Sequence, residues 1–127
     1  MFEKLEITRM AQSLAAQAGA RLGLIAQNIA HSDTPGYKAQ DLPDFARIWA
    51  QSSGTLRATR PGHLQAPSAP AVLRSFASGG SEAPNGNSVS LEREMVKMAE
   101  TRQDHEMALA IYRNTSDVMR TALGRQR

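Results

Sequence analysis

The 127-residue sequence contains no cysteine, few aromatic residues and no long apolar run. The absence of cysteine excludes a disulfide framework, a thiolate zinc site, an iron–sulfur cluster and a cysteine nucleophile. With aromatic residues at 5% of the chain, any core is thin. The apolar runs fall short of the roughly 20 residues of a membrane-spanning helix, and no basic and apolar segment typical of a cleavable secretory signal is visible. At this length we expect one domain.

Charge of one sign is not concentrated in any part of the chain. The 15 Lys and Arg residues and the 12 Asp and Glu residues give a net charge of +3 and are spread along the sequence. This basic balance leaves a two-helix nucleic-acid-binding module as the alternative function, and such a module would bind DNA in a salt-sensitive way. A membrane-surface helix would need a basic face, for which only Lys4, Arg9 and Arg21 are available near the N-terminus.

No catalytic or metal-binding motif is recognisable. His31, His63 and His105 lie far apart, without the spacing of metal ligands on one helix. The glycine motifs of phosphate loops, dinucleotide folds and nucleophile elbows are missing. We interpret Glu100 and Asp104 as part of a solvated helix face. We therefore expect no enzyme, no cofactor, and no catalytic or metal-binding residues.

Residues from about Leu5 to Ala30 predict a long helix. Apolar residues recur every three or four positions, at an average of about 3.67 residues, which keeps them on one side of a nearly straight helix. Beside them, small residues recur four apart, and we interpret this row as a groove for close helix packing rather than as simple tolerance of glycine. The candidate subunit-interface residues of this helix are Leu14, Ala15, Ala18, Gly19, Leu22, Gly23, Ile25 and Ile29.

A second long helix is predicted from about Ser90 to Gly124. Its apolar positions alternate at spacings of four and three, with Ser90 as a plausible N-cap and Gly124 at the C-terminal end. The candidate subunit-interface residues of this helix are Leu91, Met95, Met98, Leu109, Tyr112, Met119 and Leu123.

The middle of the chain differs in composition. Residues 52–88 are rich in Ser, Gly and Pro, so we expect loop, short strand pieces or disorder there. Before them, Leu42, Phe45, Ile48 and Trp49 predict a short amphipathic turn that either fills the space between the helices or serves a partner. We predict an all-α core in which the two long helices form a coiled-coil-like hairpin. The chain divides into residues 1–39, a variable segment 40–89 that is either a loop or disordered before assembly, and residues 90–127.

A dense polar motif ends the first helix. Pro35 pushes Thr34 out of the helical region, and Gly36 supplies the positive φ of a type II turn. The side chains of Asn28, Ser32, Asp33 and Thr34 can satisfy the last helical carbonyls or the turn amides, and Tyr37 can fold back as an anchor. The candidate turn-motif residues are Asn28, Asp33, Thr34, Pro35, Gly36 and Tyr37.

This motif, together with the C-terminal stretches 85–100 and 112–124, resembles the flagellar axial proteins of the rod and hook class, within it the proximal rod proteins. The resemblance covers both ends of the chain and almost none of the middle; His31, Ser32 and Ser90 depart from the usual asparagine, alanine and aspartate. It implies a structural subunit of the bacterial flagellum basal body, in the periplasmic rod, exported without a cleavable signal by the flagellar type III export apparatus. It further implies as partners other flagellar rod proteins, the rod adapter FliE and the MS-ring protein, with no nucleic acid and no direct membrane insertion.

The helices themselves favour the same function. A two-helix unit is marginal in water, and one partner helix covers only one flank of each apolar stripe. We therefore expect the remaining apolar surface to be buried between neighbouring subunits of a helical assembly, as contacts that need not close into a ring. Rigid helix packing of this kind would transmit torque.

Overall fold

The two long helices pack against each other in opposite directions. The computed structural model describes residues 2–53 and 74–124, with α1 at Phe2–Ala30 and α3 at Leu91–Ala122. Asn28, near the end of α1, contacts Glu94 in the first turn of α3, and the Ala15 carbonyl lies 3.2 Å from Nδ1 of His105. The predicted helical hairpin, with an all-α core, is confirmed.

The line of contact between the two helices, here called the seam, consists largely of small and polar residues. Along this line, buried residues recur every seven positions on each helix. They are Ala11, Ala18 and Ile25 on α1, and Glu94, Thr101 and Ala108 on α3. Small side chains let the helix axes approach closely, as in a coiled coil. The apolar row that begins at Leu91 and Met95 lies beside the seam, and these two residues are 44% and 57% exposed.

The segment between the long helices covers one side of the hairpin. A two-residue strand β1, Gln40–Asp41, pairs antiparallel with β2, Phe76–Ala77, and the short helix α2 spans Phe45–Ser53. Gln17 of α1 donates to the Pro43 carbonyl, and Trp49 lies against α1 beside Ile7 and Met10. The amphipathic turn expected near Trp49 therefore packs onto α1. Of the middle region 52–88, residues 54–73 lie outside the described residues.

The helix ends follow the local sequence, with one difference. Gly124 has a φ of 70°, and its amide donates to Thr121, so the predicted C-terminal stop is confirmed. Ser90 occupies the N-cap position, but its side chain makes no capping hydrogen bond; only its carbonyl accepts, from the Glu94 amide. No helix within residues 2–53 and 74–124 is long and apolar enough to cross a membrane.

Candidate functional site

The turn after α1 adopts the predicted type II geometry. Gly36 has a φ of 72°, and the Tyr37 amide donates to the Thr34 carbonyl across the turn. Tyr37 folds back over the end of α1, where its ring stacks on His31 at 4.6 Å and its hydroxyl donates to Oδ1 of Asn28. The turn at Pro35 and Gly36 thus reverses the chain so that it runs back along the hairpin.

A distant asparagine satisfies the carbonyls at this corner. Nδ2 of Asn87 lies 2.7–3.0 Å from the carbonyl oxygens of His31, Ser32 and Thr34, and its Oδ1 accepts from the Val89 amide. We expected side chains within the motif to fill this role. Asn87 does so instead because the stretch before α3 lies alongside the turn, where the Asn85 carbonyl also accepts from the Gly36 amide.

Asn28 is fully buried and uses its whole side chain to join three parts of the chain. Its Nδ2 donates to Oε2 of Glu94 on α3 at 2.9 Å and to the Gln40 carbonyl at 2.8 Å. Its Oδ1 accepts from the Gln40 amide and from the Tyr37 hydroxyl. Two donors and two acceptors complete the hydrogen-bonding capacity of an asparagine amide, so its burial leaves no polar atom unpaired.

The contacts of Asn28 continue into a chain of ion pairs. Oε1 of Glu94 accepts from Lys97 at 3.0 Å, and Lys97 lies 3.3 Å from Oδ2 of Asp41. Both oxygens of Asp41 accept from Arg21, back on α1, at 2.8 and 3.1 Å. Two acids and two bases balance within this network, which spans α1, β1 and α3. Together with Asn28 and Asn87, these four charged residues are called the clasp.

Three charged groups of the clasp are stabilised in their charged forms by their partners. Burial by itself would raise the pKa of Asp41, but hydrogen bonds from Arg21 and the Leu42 amide and the charges of Arg21 and Lys97 outweigh it, so the pKa lies below its ordinary value. Burial would likewise lower the pKa of Lys97, yet its contacts with Glu94 and Asp41 raise it. The hydrogen bond to Asp41 raises the pKa of Arg21. All three groups are therefore charged at neutral pH.

The opposite side of the hairpin carries neither the clasp nor any described residue of the segment between the long helices. Each residue advances about 100° around a helix, so positions on the far side of the seam from Arg21 and Lys97 can be identified. The small and apolar residues among these positions are called the open face. The open face comprises Ala15, Gly19, Leu22, Gly23 and Ala26 on α1, and Leu91, Met95, Met98 and Leu109 on α3.

The α1 part of the open face is uncharged, and no described residue covers it. Arg21 is the only Lys, Arg, Asp or Glu between Arg9 and Asp33, and it belongs to the clasp. A Cβ atom added at Gly19 or Gly23 meets no atom of the described residues within 4 Å. A solvated helix face normally carries charged residues, so this surface has the composition of a contact rather than of a water-facing surface.

A second apolar row follows the other flank of α3. Val96, Met107 and Val118 are spaced eleven residues apart and are each at least half exposed. Eleven residues are close to three full turns, so the three side chains lie above one another. α3 consequently exposes apolar side chains on both sides of its seam.

Comparison with known proteins identifies the family. The chain is 33% identical over 102 residues to the flagellar basal body rod protein FlgB of Salmonella typhimurium. The aligned region covers 72% of this chain and 73% of that protein. Two FlgB proteins from strains of Cereibacter sphaeroides are 33% identical over 107 residues, covering 81% of this chain and 82% of theirs. The chain belongs to the FlgB family of flagellar basal body rod proteins. No family model matches it.

In this FlgB-family chain, the predicted turn-motif residues gather at the clasp end of the hairpin. Asn28 is buried and Tyr37 is half-buried, whereas Asp33, Thr34, Pro35 and Gly36 are exposed. The motif therefore works largely on the chain's own backbone. Within residues 2–53 and 74–124, no group of three or more His, Asp or Glu side chains is placed to hold a metal ion.

The predicted interface residues are divided between the seam and the exposed surface. Ala18 and Ile25 are buried within the hairpin, and most others are half-buried along its edges. The exposed members are Gly19, Gly23, Leu91, Met95, Tyr112 and Leu123.

Sequence reasoning missed the charged half of the clasp. Glu94 is not among the predicted site residues, although it lies seven residues before Thr101 and fourteen before Ala108. That heptad spacing within one helix was the available signal. Asp41 and Lys97 had no such signal, because their pairing depends on how the middle segment folds back.

Proposed function

We propose that the chain is a structural, non-enzymatic subunit of the flagellar basal body rod that assembles through its open face with the helices of neighbouring subunits. Membership of the FlgB family supports the rod assignment. The uncharged α1 surface around Gly19 and Gly23, which no described residue covers, is the observation that carries the mode of assembly. A helix backbone can approach closely only where side chains are small.

Two separate apolar surfaces suit an open assembly. The open face lies on one side of the seam, and the row of Val96, Met107 and Val118 lies on the other flank of α3. A subunit that contacts different neighbours through different surfaces makes heterologous contacts, and these continue into a helix when the rotation does not close. Rigid helix contacts on both sides would then carry torque along the rod.

We further propose the partners and the route that this assembly implies. The neighbours are other flagellar rod proteins, the rod adapter FliE and the MS-ring protein at the base of the rod. The chain reaches the periplasmic rod through the flagellar type III export apparatus without a cleavable signal. We also propose that residues 1–39, 40–89 and 90–127 act as the N-terminal helix, the variable region and the C-terminal helix of this subunit.

The test places a charge on the open face. Gly23→Glu replaces a poor helix former by a good one, so the isolated chain should fold at least as well as the wild type. In a strain that lacks its own FlgB-family protein, we expect Gly23→Glu to be exported but absent from purified basal bodies, and the cells to be non-motile. Burying an unpaired carboxylate in a helix contact is too costly to tolerate.

Ser13→Glu is the matched control, because Ser13 is exposed on α1, away from α3 and outside both the open face and the row of Val96, Met107 and Val118. We expect cells with this variant to build rods and swim. Wild-type swimming by the Gly23→Glu strain would contradict assembly through the open face. Loss of rods in both strains would also remove the argument, since the effect would then not be specific to this surface.

A further inference from the structure

The clasp lies at one end of a seam that does not itself define how far the helices slide past each other. We propose that Asn28 and Asn87 select the register in which α1 and α3 pair. The inference concerns the folded chain alone, so it does not depend on assembly into a rod.

The seam offers a neighbouring register. Its buried residues recur every seven positions on both helices, and most of them are small. If α3 slides by seven residues, Thr101 takes the place of Glu94, and Ala108 takes that of Thr101. Such a slide moves α3 by about 10 Å along α1 and leaves heptad positions facing heptad positions. Packing of small side chains discriminates weakly between the two arrangements.

The length of the connection between the helices does not select the register either. In a helical hairpin with a loop of a few residues, the loop itself sets the relative position of the helices. Here α1 ends at Ala30 and α3 begins at Leu91, so the connection runs from 31 to 90. A connection of that length can follow a seven-residue slide at a small cost in chain entropy.

Asn28 favours the native register, because its hydrogen bonds can all be made only there. Its buried amide is saturated only when a carboxylate lies at the position of Glu94, while the Gln40 backbone and the Tyr37 hydroxyl occupy its other sites. After the slide, Thr101 would face this amide, and Glu94 would lose its bond to Asn28. A single buried asparagine fixes the register of coiled coils by the same principle.

Asn87 supports the same register from the connection side. It binds the carbonyls of His31, Ser32 and Thr34, which follow α1 directly, and it stands four residues before Leu91. These bonds hold the start of α3 beside the end of α1. Sliding α3 by seven residues would pull Asn87 away from the three carbonyls, which would then lack their side-chain donor.

The test measures register as a distance in the purified full-length chain. Because the chain has no cysteine, nitroxide labels can be attached to cysteines introduced at Ala26 and Glu106, both exposed and outside the clasp. These positions are staggered along the hairpin axis, so a seven-residue slide changes the distance between the labels by up to about 10 Å. We expect one narrow distance for the labelled wild-type background and a second distance in Asn28→Leu/Asn87→Ala.

Gln17→Leu is the matched control. Gln17 is also a buried amide on α1, but it donates to Pro43 in the middle segment and not to α3. We expect this variant to keep the single wild-type distance. The proposal is overturned if the double variant keeps one unshifted distance, if Gln17→Leu produces the same second distance, or if the wild-type background already shows two. Should circular dichroism show that the double variant has lost its helices, the same measurement on Asn87→Ala decides in the same way.

Discussion

Replacing the two open-face glycines should affect the stability of the isolated chain and its assembly into a rod in different ways. Gly19 and Gly23 are interior to α1, exposed, and have no described neighbour within 4 Å of an added Cβ. Glycine in a helix interior costs about 1 kcal/mol relative to alanine. Gly19→Ala/Gly23→Ala should therefore raise the free energy of unfolding of the isolated chain by about 2 kcal/mol.

Larger replacements at the same positions should have opposite effects in the two settings. Leucine is nearly as good a helix former as alanine, so Gly19→Leu or Gly23→Leu should also stabilise the isolated chain, by somewhat less than 1 kcal/mol each. In cells, either leucine variant should leave export intact and block rod completion and motility. Urea denaturation measures the first effect, and swimming together with basal-body purification measures the second.

Two results would refute this reasoning. If both leucine variants swim normally, no helix backbone approaches this face closely in the rod. If the alanine pair destabilises the isolated chain, the glycines meet a neighbour within the chain itself, and the open face is not open.

The remaining predictions concern the seam and the clasp. Thr101→Val should raise the free energy of unfolding by about 1 kcal/mol, because Oγ1 of Thr101 is buried without a partner among the described residues; an unchanged urea midpoint would contradict this. Asn87→Ala should lower that free energy by roughly 2 kcal/mol, since several partly buried backbone groups lose their partner; a change within experimental error would indicate that water replaces the side chain. Stability should be level across neutral pH and fall at both extremes. Asp41, with its lowered pKa, contributes above the unfolded carboxyl value of about 3.9 and loses that contribution as acid titrates it below this value. Lys97, with its raised pKa, contributes below about 10.4 and loses it above; urea midpoints from pH 2 to 11 test both limbs, and Asp41→Asn should weaken the acid limb.

Local chemistry made the helices and the turn predictable. The predicted bounds, Leu5–Ala30 and Ser90–Gly124, differ by a few residues from Phe2–Ala30 and Leu91–Ala122, because the spacing of apolar residues reports helix directly. The positive φ at Gly36 followed from the Pro-Gly dipeptide. These features depend on neighbours in sequence, which a single sequence displays.

Long-range polar contacts were not predictable in the same way. Asn87 meets the end of α1 only because the chain between them folds back, and no spacing in the sequence connects the two. The seam of α3 was hidden for a related reason. Glu94 and Thr101 have the composition of a surface, and Glu94 is buried because Asn28 and Lys97 satisfy its carboxylate. Tertiary partners, not residue type, decide such burial.

Within the hairpin, polar contacts specify the fold, whereas many apolar side chains are not used in folding. Buried ion pairs add little net stability compared with apolar packing, because their desolvation offsets their attraction, but they penalise every arrangement that separates them. The clasp can therefore specify one hairpin geometry without consuming apolar surface. Among the described residues, most of the exposed large apolar side chains lie on α3, and the folded hairpin leaves them uncovered. A chain that folded by burying those side chains internally would have a more stable core and fewer contacts to offer, which is the opposite of what a rod subunit needs.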